Sequence, residues 1–363
     1  MSTVSVLKTP DYSPEVMAKT VERHFAALGI EKDLKGGMKV VIKPNLLAAR
    51  APETATTTNP ELVRAVINWL RARGIDNITV ADSPAGPFTA QALNTIYKTC
   101  GFGDFPEMNR DTGWQTVRCQ DGFKNRSFNI INPIAEADYI INLPKLKTHG
   151  MTVMSGAVKN MFGSVPGLQK PELHYKWPEQ ADFVHMLAEL TLTLKPAVAL
   201  VDVVEGMEGN GPNSGDKKYA GVTFASRDPF TLDRVMADFI ELGDFEMMRE
   251  FDRMGLIKTP QLTGDKVQNV KFRQSDARPL DFTAYVPKLL RKPAKKLFKR
   301  LLRPLPKVDH SKCIGCGKCA ESCPPHIIKI KNRKAQFTSK GCISCFCCQE
   351  MCPVHAIGTK RFV

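Results

Sequence analysis

No run of 18 or more apolar residues occurs in the 363-residue chain, so nothing in it is expected to span a membrane. Met1-Ser2-Thr3-Val4 has neither the basic flank nor the apolar stretch of a secretory signal, which makes the cytoplasm the expected location. Cysteine is scarce over the first 312 residues, where only Cys100 and Cys119 occur; the other nine of the eleven lie between Cys313 and Cys352. Thiols crowded in this way in a chain without a signal argue for metal binding rather than disulfide bridging. Acidic residues are missing from residues 288–307, which hold nine Lys and Arg. Residues 308–363 add a further net charge of +6, so of the total of +14 the first 287 residues contribute only −1. The basic character is a property of the linker and tail, and nucleic-acid binding is not expected. Two nucleotide signatures are also absent. No Gly-Lys-Ser/Thr follows the glycines at 206, 209, 211 and 215, and no strand-to-helix Gly-x-Gly-x-x-Gly turn occurs, so neither ATP nor nicotinamide binding is supported.

What is present reads as a globular chain of two or three domains, 43% hydrophobic and 24% charged. Strands are expected at 38–43, 77–81, 138–143 and 197–202, with helices from Asn59-Pro60 to about Arg73, from about Thr89 to Cys100, and onward from Asp228-Pro229. Strands alternating with helices imply an α/β domain over residues 1–287, with a parallel or mixed sheet. Residues 288–307 read as a basic linker. Pro293, Pro304 and Pro306 bracket a short amphipathic helix with Ala294, Leu297, Phe298 and Leu301 on one side. Such a segment suits a connector packed on a neighbouring domain, a docking face for an acidic electron-transfer partner, or peripheral contact with anionic lipid.

Residues 308–363 contain an internal repeat. Cys313-Ile314-Gly315-Cys316-Gly317-Lys318-Cys319 leads after three residues to Cys323-Pro324, and Cys342-Ile343-Ser344-Cys345-Phe346-Cys347-Cys348 leads after three residues to Cys352-Pro353. Three thiolates at two-residue intervals can wrap three irons of a cubane, and the fourth, followed by Pro, serves the other cluster. The expected ligands are Cys313, Cys316, Cys319 and Cys352 for cluster I, and Cys342, Cys345, Cys348 and Cys323 for cluster II. A small α+β ferredoxin-like domain with two [4Fe–4S] clusters follows. Zinc sites usually use paired two-cysteine knuckles instead of triplets trailed by Cys-Pro. Each cubane with four thiolates carries about −2 when oxidised, so the pair offsets about four of the tail's excess positive charges. Cys347, beside a ligand, is expected to be a spare buried thiol, with ligand substitution as the alternative. His326 and His355 are expected to be packing or surface residues.

In the first domain, four polar segments are expected just after strands: Lys43-Pro44-Asn45, Asp82-Ser83-Pro84, Lys145-Leu146-Lys147-Thr148-His149, and residues 205–212. Ligands of open α/β sheets bind outside the carboxyl ends of the strands. Lys43, Lys147 and Lys159 are candidates for holding an anionic substrate, and His149 for acid/base work near neutral pH. The segments Val41-Ile42-Lys43-Pro44-Asn45, Leu143-Pro144-Lys145-Leu146-Lys147-Thr148-His149, Gly156-Ala157-Val158-Lys159-Asn160-Met161-Phe162-Gly163, Glu172-Leu173-His174 and Met207-Glu208-Gly209-Asn210-Gly211-Pro212 resemble the family known as domain of unknown function 362, often joined to a two-cluster ferredoxin tail. The resemblance runs from about residue 37 to 245. It implies that Lys147, His149, Lys159, Asn160, His174, Glu208 and Asn210 belong to one site, and it assigns no reaction. At Val153-Met154-Ser155-Gly156 the family more often has a threonine-containing turn, and Ser155 can supply the hydroxyl.

Three readings follow. In the first, an iron–sulfur oxidoreductase takes electrons from a redox partner protein, such as a ferredoxin or a reductase, and passes them to an anionic small molecule in the α/β domain. There Lys147, His149 and Lys159 are the candidate catalytic residues, and Lys43, Asn45, Asn160, His174, Glu208 and Asn210 line the ligand cleft. In the second, the chain is a non-catalytic carrier or maturation factor, with an additional metal held by His149, His174, Glu205 and Glu208. The third, a redox sensor that signals by cluster loss, is the weakest because no DNA-binding motif is visible.

Overall fold

The computed structural model of the protein describes residues 1–278, 290 and 302–361. The amphipathic helix expected at 293–304 therefore lies outside the described residues apart from 302–304. A mixed sheet organises the first part of the chain. Its strands are β1 (Ser2–Lys8), β2 (Val40–Pro44), β3 (Ile78–Val80), β6 (Tyr139–Leu143), β7 (Lys145–His149), β8 (Val153–Ser155), β9 (Val198–Glu208), β10 (Asp216–Ser226) and β11 (Pro260–Gly264). The order is β11-β1-β10-β9-β6-β2-β3, with β7 paired to β8 and β9. The strands β3, β2, β6 and β9 run parallel, whereas β10 is antiparallel to both β9 and β1. A separate hairpin joins β4 (Trp114–Arg118) to β5 (Ser127–Ile131).

The central strands are apolar runs because both their faces are covered. Successive residues of β6 and β9 alternate between two cores. Tyr139, Ile141, Val198 and Leu200 pack with the helices α1 (Pro14–Leu28), α2 (Pro60–Arg71) and α3 (Ala90–Thr99). Ile140, Ala199 and Val201 face a second core on the other side. It is built with α5 (Ala157–Asn160), α7 (Gln180–Leu194), α8 (Pro229–Phe239) and α9 (Glu246–Arg253), and the short α4 (Asn132–Ala135) and α6 (Gln169–Lys176) complete the helices of this part. Each Val or Ile taken wholly out of water in such a core contributes about 1.5–3 kcal/mol. Three helix starts among the described residues are fixed by side chains, Thr89 capping α3 by accepting from the Ala92 amide at 3.3 Å. Asn59 caps α2 by accepting from the Glu61 amide at 2.9 Å, and Asp228 caps α8 through the amides of Phe230 and Thr231.

Residues 305–361 carry two small antiparallel pairs, β12 (Leu305–Val308) with β15 (Ile357–Lys360) and β13 (Ile328–Lys331) with β14 (Lys334–Phe337). The sequence repeat is also a backbone repeat. Gly315 and Gly317 have φ of +70° and +80°, their counterparts Ser344 and Phe346 have +56° and +61°, and His326 and His355 both have +51°. Among the described residues no helix is long and apolar enough to cross a membrane.

Two sequence expectations need correction. Lys145 to His149 is not a loop but the strand β7, because it pairs in parallel with β9 and antiparallel with β8. Likewise residues 205–208 continue β9 instead of leaving it, held by the pairing of Glu208 with Asp216 and Glu205 with Tyr219.

Candidate functional site

The C-terminal cysteines form two groups, all of them free thiols. Cys313, Cys316, Cys319 and Cys352 line one cavity together with Val308, Ile330 and Ile357. Cys323, Cys342, Cys345 and Cys348 line another with Ile327, Phe337 and Phe346. Amide N–H groups point at the sulfurs: Ala335 N is 3.4 Å from Cys313 Sγ and Ala356 N is 3.1 Å from Cys352 Sγ. Four thiols around an apolar cavity with amides donating to sulfur is the donor set that a cubane takes. A single ion is not served, since among the described residues no three His, Cys, Asp or Glu sit close enough to hold one. The residues present therefore fit iron–sulfur clusters.

A third cavity lies at the carboxyl ends of β2 and β3, where the α/β region meets the tail. One wall is Asn45, Asp82, Ser83, Lys159, Asn160, Lys170 and His174; the other is Ser322, Cys347, Glu350 and Met351. Its free space is about 80 Å³, enough for a small solute, since one water requires roughly 10–15 Å³ by the same measure. The floor is a buried ion pair, Lys43 Nζ to Asp82 Oδ1 at 2.7 Å, and Asp82 Oδ2 also accepts from the Leu46 amide at 2.8 Å. Gly163 packs directly on this pair. A Cβ there would run into Asp82 Oδ1 and stand 2.7 Å from Lys43 Nζ. Behind the wall a hydrogen-bonded chain fixes the amides: Lys147 Nζ to Asn45 Oδ1 at 2.8 Å, Asn45 Nδ2 to Asn160 Oδ1 at 3.0 Å, and Asn160 Nδ2 to Asn142 Oδ1 at 2.7 Å. The turn that presents Lys159 is anchored by Asp233, which accepts from Ala157 N at 2.6 Å and Val158 N at 3.1 Å.

The electrostatics favour a bound anion. The Lys159 ammonium makes no hydrogen bond among the described residues, and burial holds it below the usual lysine range. Burial brings Lys170 to about 7, and brings Lys147 to about 7 with help from the nearby Lys159 charge. The rings of His149 and His174 are held neutral at physiological pH, at about 4 and about 3, chiefly by burial. Burial alone would raise Glu350, but contact with His149 and the charge of Lys159 hold it at about 2. Asp82 is already matched by Lys43, which leaves Lys159, near Glu350, and Lys170, which donates to Ser83 Oγ at 3.2 Å and Pro84 O at 3.3 Å, as the remaining cations of the lining. Three buried atoms around the cavity lack a hydrogen-bond partner: His149 Nε2, His174 Nδ1 and Glu350 Oε1. His149 Nε2 lies 3.0 Å from Glu350 Oε1 without the alignment of a hydrogen bond. Orphaned polar atoms of this kind are costly unless a ligand or water completes them.

Of the residues named from the sequence, Asn45, Lys159, Asn160 and His174 line the cavity. Lys43 lies beneath it, Lys147 one layer behind, and His149 touches it through Glu350. Glu208 and Asn210 are not brought there. Glu208 accepts from the Arg273 amide at 3.0 Å, and Asn210 bonds Ser275 and Asp276. Glu205 pairs with Lys217 at 2.9 Å, so the set His149, His174, Glu205 and Glu208 does not converge on a metal. Ser155, on β8, does not line the cavity. Lys170, Cys347 and Glu350 were missed as cleft residues. Lys170 had a signal: it lies four residues before His174, one helical turn away on the same face of α6. Cys347 and Glu350 belong to the cysteine repeat, whose ligand spacing masks any second role. The tail is seated by Arg50, which donates to Pro353 O at 3.1 Å, and by Asn213, which donates to Glu350 O at 2.6 Å.

Comparisons with known proteins match both parts of the chain. Residues 40–238 match the model of a domain of unknown function (DUF362), and residues 312–356 match a 4Fe-4S dicluster domain. A thylakoid-associated protein of Synechocystis sp. is 32% identical over 265 residues, 71% of this chain and 81% of that protein. Ferredoxin-2 of Desulfomicrobium norvegicum is 50% identical over 28 residues, 8% of this chain and 48% of that protein. Among solved structures, the lactate racemase apoprotein of Thermoanaerobacterium thermosaccharolyticum superposes with a TM-score of 0.43 at 12% identity, over 65% of this chain and 56% of its own. A Thermotoga maritima protein gives 0.39 at 10% identity, over 64% and 59%. The chain thus spans little more than half the length of these two structures. The chain belongs to the DUF362 family, with an iron–sulfur domain of the ferredoxin type at its C-terminal end.

Proposed function

We propose that this protein is an iron–sulfur oxidoreductase that delivers electrons to an anionic small molecule held between its α/β domain, residues 1–287, and its ferredoxin domain, residues 308–363. One observation carries the reading: the cavity lined by Lys159, Lys170, Asn160 and His174 is also lined by Cys347, the chain neighbour of the thiol Cys348. Two [4Fe–4S] clusters, in the cysteine quartets named above, would supply one-electron transfer at potentials tuned by burial and by hydrogen bonds to sulfur.

The chain's own residues do the rest. Lys159 and Lys170 attract the anion as point charges, and Asn45 and Asn160, fixed by their shared hydrogen bond, orient it. His174, stacked on Phe183 at 4.1 Å, presents a neutral ring with one nitrogen unbonded. Lys170 Nζ, near 7, holds a proton that it can release at neutral pH to a substrate gaining electrons. Cys347, Met351 and Glu350 close the cavity on the tail side, which keeps water from competing. A redox partner protein would supply the electrons.

The test is anaerobic. Cluster-loaded protein, reduced and freed of excess reductant, is mixed with panels of small carboxylates, phosphates and sulfur oxyanions. Reoxidation by one class, abolished in Lys159→Met, is expected. Clusters that stay reduced with every panel would overturn the reading.

A further inference from the structure

The two halves of the cysteine repeat have the same backbone but very different surroundings. In the second half Cys345, Phe346, Cys347, Cys348 and Gln349 are all buried, with Phe346 beside Gly150 and Cys347 in the cavity shared with the α/β region. Of the corresponding positions in the first half only Cys319 is buried, Gly317 and Ala320 are half-buried, and Cys316 and Lys318 are exposed; Ile314 is 55% exposed where its counterpart Ile343 is half-buried. The sequence differs accordingly, with Gly317-Lys318 where the second half has Phe346-Cys347. A repeat of equal halves has become an inner half and an outer half.

The outer half is also where the positive charge stands. Lys312 and Lys318 flank the Cys313 loop, and the tip of the β13–β14 hairpin adds Lys331 and Arg333, all exposed. That tip touches the loop: a Cβ on Gly315 would stand 2.7 Å from the Arg333 carbonyl carbon, and Lys334 Nζ donates to Cys313 O at 2.7 Å. Opposing charge is sparse. Asp309 is engaged by Lys312 at 3.5 Å, and Glu321 is the other exposed carboxylate of this half. The patch therefore has an apolar centre, Ile314, beside an exposed thiol of the quartet, within a basic rim. Apolar centres with charged rims give contact at the middle and steering at the edge.

We propose that this outer face, centred on Ile314 and Cys316 and rimmed by Lys312, Lys318 and Arg333, is the docking surface for a small acidic one-electron carrier protein. The proposal rests on the iron–sulfur reading above and adds to it where electrons enter. The exchange balances simply: the carrier loses one electron, the outer half of the domain gains it, and no bond forms or breaks. The charge complementarity selects an acidic carrier, since opposite fields raise encounter rates by roughly 10- to 1000-fold at low salt.

The test uses the full cluster-loaded chain and a reduced acidic [2Fe–2S] ferredoxin as probe. Two quantities are read: the second-order rate of cluster bleaching, and the dissociation constant of the oxidised ferredoxin by calorimetry. In a Lys312→Glu, Lys318→Glu, Arg333→Glu variant, both should worsen at least about tenfold at low ionic strength, and the difference should shrink as salt rises. Bleaching by photoreduced deazaflavin, small and uncharged, should be unchanged, and Lys98→Glu on α3 should behave as wild type. Rates and affinities that ignore both the charge reversal and the salt would overturn the proposal. Failure of deazaflavin to bleach even the wild type would instead strike at the cluster reading itself.

Discussion

Replacing Phe346 by the glycine found at the equivalent position 317 sets two effects of opposite sign against each other. Phe346 holds φ of +61° and ψ of 14°, the left-handed region. That conformation costs an L residue about 1–2 kcal/mol, and glycine relieves it. Glycine also loses more backbone freedom on folding, which takes back roughly 0.5–1 kcal/mol. On the other side, the ring is 3% exposed, lines the cavity of the Cys323 quartet, and approaches within 3.9 Å the point where a Cβ of Gly150 would stand. Deleting a buried Phe side chain costs about 3–5 kcal/mol. Packing wins, and Phe346→Gly should destabilise the tail by about 2–4 kcal/mol net of the relieved strain. The assay is anaerobic urea denaturation of cluster-loaded protein, followed by cluster absorbance and by far-ultraviolet circular dichroism. The absorbance midpoint should move to lower urea, with a smaller shift in the dichroism dominated by the α/β region. An unchanged or raised absorbance midpoint would show that the ring does not seat the tail.

Further outcomes follow from the same geometry. Gly163→Ala should push apart the buried Lys43–Asp82 pair and cost about 3–5 kcal/mol, the loss expected when a buried ion pair is broken, read as a lowered denaturation midpoint. Cys352→Ser should remove the cluster held with Cys313, Cys316 and Cys319, and Cys323→Ser the one held with Cys342, Cys345 and Cys348; iron should fall to about four per chain in each case, and the two residual paramagnetic spectra should differ. Affinity for malonate, a probe that does not titrate above pH 7, should fall as pH rises past 7. Lys170 is protonated below about 7 and loses its charge above it, so the fall should approach tenfold per unit and flatten in Lys170→Met. A flat wild-type profile in calorimetry would refute that role.

The sequence made legible whatever was written locally. Cysteine spacing brought out the two quartets, because a triplet with a trailing Cys-Pro has little geometric freedom. Alternating apolar runs brought out β2, β3, β6 and the start of β9. The strand β7 was illegible because Lys145-Leu146-Lys147-Thr148-His149 is polar. It is buried all the same, since Lys145 meets Asp202 at 2.9 Å and Tyr12 at 2.8 Å, and Lys147 meets Asn45 and Thr56. Partners 57 to 133 residues away cannot be seen in a local pattern. The strands β1 and β10 were missed too, and with them the antiparallel edge of the sheet. The cleft's second wall, Cys347, Glu350 and Met351, arises only when the tail folds back over β2 and β3, which no motif announces. Glu208 and Asn210 were grouped with the cleft by family likeness and by reading residues 205–212 as a polar segment beyond a strand, yet they brace residues 273–276.

The central claim is that the anion binds beside the inner cysteine quartet, and electron–nuclear double resonance tests it most directly. Reduced, cluster-loaded protein would be frozen with the ¹³C-labelled carboxylate or ³¹P phosphate selected by the reoxidation assay, using a non-reducible analogue of it. A hyperfine coupling between the reduced cluster and the labelled nucleus, lost in Lys159→Met, is the predicted result. A bound ligand with no coupling above that of ligand free in solution would contradict it.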